Sequence, residues 1–169
     1  MTTDNAVPAF GTGWGHAHGL ARVTPPHVPQ GPDQALDRIL IHEVIAAYCW
    51  SVDEEQYELM TSVLTEDFVF QGCIAGVAPL DHLTRAADLV SWLQAWQTTR
   101  SDQLRHVVTN IVVTDQTEST ADAYGYVTLN SATPESQTPL ATAFYRFTLT
   151  KHNGHWRIAA IYSGYDRAF

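Results

Sequence analysis

Four segments rich in β-branched and aromatic residues follow one another in the C-terminal half of the chain, and this order constrains the fold more than any other feature. The segments are residues 107–113, 121–129, 140–149 and 156–162. Such segments are typical of β-strands. Asn153-Gly154 joins the last two and fits a tight hairpin turn with positive φ. Four successive strands predict an antiparallel meander.

Helical periodicity dominates the N-terminal half instead. A first helix is predicted from Asp33, whose side chain can cap the free amides, to about Trp50. A short second helix follows Asp53, a strand is predicted at residues 68–70, and a third helix at residues 82–97. Helices that precede a sheet indicate an α+β domain in which the helices cover one face of the sheet.

Residues 1–32 are rich in Gly and Pro and show no sustained period, so we interpret them as an N-terminal arm that precedes a domain of residues 33–169. The arm contains Phe10, Trp14, His16, His18 and His27, and this aromatic content predicts that part of it packs on the domain or on a neighbouring subunit. His16 and His18 are not accompanied by any further metal-binding motif, so no metal site is predicted.

The net charge of −9, from 18 acidic and nine basic residues, disfavours two classes of partner. No cluster of Lys and Arg is available to bind nucleic acid or an anionic membrane. No stretch reaches the roughly 20 apolar residues of a membrane span, and the N-terminus lacks the pattern of a signal peptide. Cys49 and Cys73 are expected to be free thiols in a reducing compartment, which predicts a cytoplasmic location.

Five short strings carry a resemblance to a known family. They are residues 48–53, 57–59, 64–68, 105–110 and 154–158. In these strings and in the order of its elements, the chain resembles the SnoaL-like branch of the nuclear transport factor 2-like superfamily. That group includes scytalone dehydratase, bile-acid 7α-dehydratase and polyketide cyclases. The resemblance implies a cone-shaped, curved antiparallel sheet wrapped around a pocket, with three N-terminal helices.

The resemblance also implies catalytic residues. In the eliminating enzymes of this group, an Asp at the end of the first helix pairs with a His on the first long strand after the third helix. Asp53 and His106 match these positions. In the bile-acid dehydratase a Tyr lies five residues before the Asp, and Tyr48 has this spacing. Where scytalone dehydratase has another His on the next strand, this chain has Tyr124 and Tyr126.

A carboxylate that pairs with an imidazole in an apolar pocket makes a general base, because it holds one ring nitrogen protonated and raises the basicity of the other. Each implied residue also has a structural alternative. His106 is consistent with a buried His that binds a backbone carbonyl, and Asp53 with a cap of the second helix. Tyr48 is consistent with a core residue whose hydroxyl is satisfied at the rim.

Strand alternation adds candidates for binding a substrate. It places Asn110 on the same face as His106, where Asn110 would hold a substrate oxygen or orient a neighbour. Tyr124 and Tyr126 share a face that is either a polar pocket wall or the outside of the sheet, and alternation leaves both possibilities open.

Trp50, Phe70 and Phe144 are interpreted as core or pocket lining, which favours a small apolar molecule as the ligand. The sequence has no Gly-x-Ser-x-Gly string, no context for a reactive Cys and no dinucleotide fingerprint. Nucleophilic catalysis is therefore disfavoured, and no cofactor is predicted. A proton transfer that needs no cofactor remains.

Two functional hypotheses follow. The first is a cofactor-independent lyase of dehydratase type, or a related isomerase or cyclase, that acts on a small apolar ring-containing metabolite. The second is a non-catalytic binding or assembly subunit, like the β-subunits of ring-hydroxylating dioxygenases, and an exposed Asp53–His106 pair or a filled pocket would favour it. An open sheet with an apolar outer face also predicts a homo-oligomer, either a dimer or a trimer.

Overall fold

The computed structural model describes residues 23–75 and 78–167. In chain order they form α1 (Pro32–Asp53), α2 (Tyr57–Val63), β1 (Leu64–Ile74), β2 (Ala78–Pro79), α3 (Ala86–Gln97), β3 (Gln103–Thr114), β4 (Thr120–Ala132), β5 (Gln137–His152) and β6 (His155–Tyr165). The predicted α+β fold of three helices and a C-terminal meander is confirmed.

Most of the predicted arm, with Phe10, Trp14, His16 and His18, lies outside the described residues. Its last part is described and lies beside α1. There the carbonyl oxygen of His27 accepts a hydrogen bond of 2.6 Å from Arg38, and the His27 ring lies 3.2 Å from the Gln34 side-chain oxygen.

Several helix boundaries differ from the predicted ones. The residue that precedes α1 is Gly31, and no side chain caps the helix; Asp33 lies in the first turn, where its charge faces the positive end of the helix dipole. The third helix begins at Ala86 rather than at residue 82, because Leu83 pairs with Phe70 of β1 through two backbone hydrogen bonds of 2.8 and 3.1 Å. Among the described helices, none combines the length and the apolar character that a bilayer span requires.

The strands form one curved, unclosed six-stranded sheet with the order β2-β1-β6-β5-β4-β3. The meander from β3 to β6 is antiparallel, as predicted. The sheet as a whole is mixed, because β1 pairs with β6 in parallel. The meander leaves one edge of β6 uncovered, and β1 pairs with that edge. The long connection between β1 and β6 along the chain allows the crossover that parallel strands need.

The helices pack on the concave face of the sheet, and strand alternation separates this inner face from the outer one. On β5 the inner residues Ala143, Tyr145 and Phe147 are buried, whereas Phe144 and Arg146 on the outer face are partly exposed. Helix α1 contributes apolar side chains at helical spacing to the same core, namely Ile41, Ile45, Tyr48, Cys49 and Val52.

A β-bulge interrupts the alternation of β3. Thr109 pairs with Tyr126 and Val112 pairs with Tyr124, so residues 110 and 111 both lie opposite the single residue Gly125. Asn110 has a φ of 54°, in the left-handed region that Asn tolerates better than most residues. The bulge shifts the inner face, so that Asn110 is exposed and the inner position passes to its neighbour, Ile111.

Gly72 allows β1 and β6 to approach each other closely. A Cβ atom at Gly72 would lie 2.7 Å from the carbonyl oxygen of Ser163 and 2.6 Å from Leu80 Cδ1. We expect Gly72→Ala to lower the free energy of unfolding by about 1–3 kcal/mol, because the backbone of β6 has to move. Urea unfolding measures this loss. Gly31→Ala is the control, since nothing lies within 4 Å of a Cβ there, and a loss at Gly72 no larger than at Gly31 would contradict the expectation.

Candidate active site

Asp53 and His106 form a buried pair between the end of α1 and the start of β3. Asp53 Oδ1 lies 2.5 Å from His106 Nδ1, and Asp53 Oδ2 accepts a hydrogen bond of 2.7 Å from the His106 backbone amide. The two side chains are only 7% and 8% exposed. Both carboxylate oxygens therefore bind the same residue, which fixes the orientation of the imidazole ring.

This geometry excludes the purely structural roles considered for the two residues, namely a helix cap for Asp53 and a bond to a backbone carbonyl for His106. The residue that precedes α2 is Gln56, and no side chain caps that helix, so Asp53 does not act as its cap. The His106 ring binds a carboxylate rather than a backbone carbonyl. With Nδ1 engaged as the donor to Asp53, Nε2 is the nitrogen with a lone pair for a proton.

His106 also forms part of the wall of a cavity of about 180 Å³ that lies between the helices and the sheet. An apolar cavity of about 150 Å³ holds a benzene molecule, so this one has room for a single-ring compound with small substituents. Apolar side chains supply most of the wall, and the lining residues are Tyr48, Val52, Phe70, Leu80, Leu89, Trp92, Leu93, Trp96, His106, Leu129, Tyr145 and Tyr165.

Aromatic rings form one part of the wall. The ring centroids of Trp92 and Trp96 lie 6.1 Å apart with nearly parallel planes, and Phe70 lies 6.4 Å from Trp92. Trp92 Nε1 donates a hydrogen bond of 2.9 Å to the Asp81 carboxylate, and the Arg100 guanidinium lies 4.7 Å from the centre of the Trp96 ring. These outer contacts hold the rings in place, which favours a flat apolar guest.

Three tyrosines also line the wall together with His106. Tyr48 projects from α1, and the hydroxyls of Tyr145 and Tyr165 lie 2.8 Å apart and share a hydrogen bond. Burial raises the pKa of Tyr48 and of Tyr145 well above the usual range, so both hydroxyls stay neutral at physiological pH. They can donate hydrogen bonds to a guest but do not act as anions.

Sequence reasoning missed Tyr145 and Tyr165. The available signal was the period of two in β5 and β6: Tyr145 has the same parity as the apolar residues Ala143 and Phe147 of its strand. A tyrosine on the apolar face of a strand is a candidate for a pocket wall once the concave face is known.

Four of the predicted site residues line the cavity or bind a residue that does: Asp53 binds His106, and Tyr48, Phe70 and His106 line the cavity. Trp50 does not. It is 62% exposed, because it lies two residues from both Tyr48 and Val52 on α1, which places it on the opposite side of the helix.

The four remaining candidates also lie outside this cavity. Tyr124, Tyr126 and Phe144 belong to the outer face of the sheet, where Tyr126 is 60% exposed and the Phe144 ring packs 5.9 Å from that of Tyr162. Strand alternation left open whether Tyr124 and Tyr126 line the pocket or the outer face of the sheet, and the structure places both on the outer face. Asn110 is turned away from the inner face by the bulge in β3.

The thiol of Cys49, which follows Tyr48 on α1, is buried. Burial and the nearby Asp53 charge raise its pKa to about 12, so it stays protonated and is a poor nucleophile. Within residues 23–75 and 78–167, no group of three or more His, Cys, Asp and Glu side chains is arranged to hold a metal ion. The side chains at the site are suited to moving a proton and to binding an oxygen atom.

Comparison with solved structures supports the fold. A protein of unknown function from Mycobacterium tuberculosis superposes with a TM-score of 0.69 at 22% identity, over 83% of this chain and 79% of that chain. A protein from Catenulispora acidiphila in complex with S-DNPA has a TM-score of 0.68 at 19% identity, over 78% and 95% of the two chains. A third structure, provisionally named the beta subunit of an aromatic-ring-hydroxylating dioxygenase from Novosphingobium aromaticivorans, has a TM-score of 0.68 at 15% identity, over 80% and 92%.

At these identities the likeness extends to the fold alone. None of the curated proteins matches the chain significantly. The family model that matches is the SnoaL-like domain, over residues 33–162. Since this match covers well over half of the sequence, the chain belongs to the SnoaL-like domain family.

Proposed function

We propose that this protein is a cofactor-independent lyase of dehydratase type, or a closely related isomerase or cyclase, that acts on a small apolar ring-containing molecule. The observation that carries the proposal is the buried Asp53–His106 pair, whose imidazole lies in the wall of an apolar cavity. Both carboxylate oxygens of the buried Asp53 bind His106, and this arrangement can orient the imidazole as a general base.

The chemistry follows from this arrangement. Asp53 keeps the proton on Nδ1, and Nε2 of His106 removes a proton from a carbon atom beside a carbonyl group. The electron pair of the broken C–H bond forms a double bond, and the C–O bond to the leaving hydroxyl breaks. The hydroxyl departs as water with the proton that His106 removed from carbon, and the neutral Tyr48 hydroxyl can donate a hydrogen bond to it. General-base catalysis of this kind contributes roughly 10²- to 10⁴-fold in rate.

The assembly-subunit hypothesis predicted an exposed pair or a pocket filled by side chains. The pair is buried and the cavity has room for a ring, and these two observations support a catalyst over a purely structural subunit. A neighbour provisionally named a dioxygenase beta subunit has the same fold, but one fold hosts many activities and this likeness does not decide between them.

A panel of single-ring β-hydroxy ketones with small substituents tests the proposal, since these fit a cavity of about 180 Å³. Elimination of water produces a conjugated ketone, which is followed by its ultraviolet absorbance. We expect the protein to convert at least one member, and Asp53→Asn, which has nearly the same shape, to convert it about 100-fold more slowly or worse. Exchange of solvent deuterium into the same ketones, followed by NMR, detects proton removal without elimination. Absence of both conversion and exchange across the panel would contradict the proposal.

We also propose that the protein works as a homo-oligomer, a dimer or a trimer. The partly exposed aromatic residues on the outer face of the sheet, Tyr124, Tyr126 and Phe144, support this because an oligomer would cover them. Light scattering at micromolar concentration tests the oligomeric state, and a monodisperse monomer would contradict the proposal.

We also propose a cytoplasmic location. The free thiols of Cys49 and Cys73 support a reducing compartment such as the cytoplasm.

A further inference from the structure

The last turn of α1 carries Asp53, and the end of a helix leaves backbone carbonyl groups without partners inside the helix. Beyond the helix Glu55 has a φ of 54°, and the chain turns back so that the Gln56 amide donates to the Ser51 carbonyl oxygen at 2.9 Å. The Glu55 amide reaches the Val52 carbonyl oxygen only at 3.4 Å. A carbonyl oxygen has two lone pairs, so those of Val52 and Asp53 can accept donors from other elements.

Gln103, the first residue of β3, supplies one of these donors. Its side-chain nitrogen donates hydrogen bonds of 2.7 Å to the Asp53 carbonyl oxygen and of 3.0 Å to the Leu104 carbonyl oxygen. An amide nitrogen carries two hydrogens, and these two bonds use both of them. The Gln103 side chain therefore ties the backbone of Asp53 to the strand that carries His106.

Gln97, the last residue of α3, supplies the other donor. Its nitrogen donates a hydrogen bond of 2.9 Å to the Val52 carbonyl oxygen, and its oxygen accepts a hydrogen bond from the Tyr57 hydroxyl of α2. One partner needs a donor and the other an acceptor, so together they fix the orientation of the amide. The preceding residue, Trp96, lines the cavity. Gln97 therefore joins the helix of the aromatic wall to the end of α1.

The geometry of the Asp53–His106 pair depends on where this last turn lies. Each carboxylate oxygen makes one contact with His106, of 2.5 and 2.7 Å, and hydrogen bonds weaken steeply as they bend. Asp53 also lies at the end of α1 where the carbonyl dipoles produce a partial negative charge. The amide hydrogens of Gln97 and Gln103 face these carbonyl groups and offset part of that charge beside the carboxylate.

We propose that Gln97 and Gln103 are positioning residues for the Asp53–His106 pair. They hold the last turn of α1 against α3 and β3, and this fixes the carboxylate where it orients the imidazole. Within the described part of the chain, neither side chain lines the cavity, so both act through Asp53 rather than on the ligand. The inference rests on the proposed function in so far as this pair is the proposed base. A misplacement of roughly 1 Å can slow such a reaction by up to about 100-fold.

Gln103→Met and Gln97→Met test the proposal, because Met has nearly the length of Gln but lacks its donor and its acceptor. Proton and nitrogen NMR of the His106 ring measures how fast the Nδ1 proton exchanges with water, and this needs no substrate. We expect exchange to be about fivefold to tenfold faster in either variant, because loss of a hydrogen bond lets the pair open more often.

Two further measurements separate positioning from binding. Turnover of a ketone from the panel should fall by about fivefold or more in either variant, with KM within about twofold. Binding of p-xylene, an apolar single ring that probes the cavity, should also stay within about twofold, since neither glutamine lines the cavity. Gln103→Glu keeps the shape but replaces the donor by an acceptor, so it should accelerate exchange more than Gln103→Met does.

Gln94→Met and Gln137→Met are the matched controls. Gln94 is exposed on the same helix as Gln97, and Gln137 is exposed at the start of β5, as Gln103 starts β3. Neither control should change proton exchange, turnover or binding. If Gln103→Met does not fold stably, Gln97→Met provides the test. Exchange of the Nδ1 proton no faster in the folded variants than in these controls would overturn the proposal.

The backbone amide of Phe147, which is fully buried in the core, reports opening of the whole domain. Its exchange should accelerate less than that of the His106 ring proton, and equal acceleration of both would overturn the proposal by showing that the glutamines serve only overall stability. Faster exchange of the ring proton in a protein that converts no ketone would remove the proposed function and leave the positioning. Unchanged exchange, while Asp53→Asn still slows elimination, would remove the positioning alone.

Discussion

Asp53→Asn and His106→Gln are each expected to lower turnover of a substrate identified with the ketone panel by about 100-fold or more. Asp53 orients His106 through two hydrogen bonds of 2.5 and 2.7 Å, so loss of either residue disables the same base. The double variant should be little slower than either single one, because residues that act as a unit are not additive. Steady-state kinetics on the three variants measure this.

Stability separates this result from a structural role. The negative charge of Asp53 is buried beside an apolar cavity, so its neutral replacement should leave the free energy of unfolding nearly unchanged or slightly higher. Glu54→Gln is the matched control, since Glu54 follows Asp53 and lies in a largely exposed ion pair with Arg105. It should retain full activity. Full activity of Asp53→Asn together with a lower unfolding midpoint would show that Asp53 serves only the fold.

The largest expected effect on stability lies at the opposite end of α1 from Asp53. The buried Asp37 carboxylate accepts hydrogen bonds of 2.7 and 2.9 Å from Lys151 Nζ and one of 2.9 Å from Trp156 Nε1. Lys151→Met leaves this carboxylate buried without a cation. Loss of one partner of a buried pair costs about 3–5 kcal/mol. Because the Lys151 side chain is 26% exposed, we expect a value near the lower end, about 3 kcal/mol, in urea unfolding.

Arg105→Met provides the comparison, since the Arg105 and Glu54 side chains are 49% and 32% exposed and pairs of this kind contribute about 0–1 kcal/mol. The cavity lies elsewhere in the domain, so binding of p-xylene by folded Lys151→Met should match that of the wild type. Similar losses in Lys151→Met and Arg105→Met would show that water solvates Asp37 in spite of its burial.

Much of the fold could be predicted from local patterns. Helical spacing along α1 and the runs of β-branched and aromatic residues after residue 101 predicted the order of the elements, because these periods reflect which side of each element is buried. The parallel pairing of β1 with β6 could not be predicted in the same way. It depends on which edge of the finished sheet remains uncovered, and this is a property of the assembled meander.

The residues of the candidate site likewise fall into those that local sequence predicted and those that it did not. Asp53, His106 and Tyr48 were found from short strings of sequence that resemble those of a family, and the structure brings the Asp53 carboxylate to the His106 ring. The faces of the later strands were ambiguous. A period of two separates the residues of a strand into two groups but does not say which group faces the helices, so Tyr126 was a candidate for the pocket although it lies outside.

The amino-acid sequence by itself determined the succession of helices and strands and predicted Asp53 and His106 as candidate site residues, because each of these signals lies in a short local stretch of the chain. Only the tertiary structure decided that a single bulge turns Asn110 outward and that Tyr145 meets Tyr165 across two strands. Both depend on the register and curvature of the sheet. Those are set by packing between residues far apart in the sequence, which no local pattern contains.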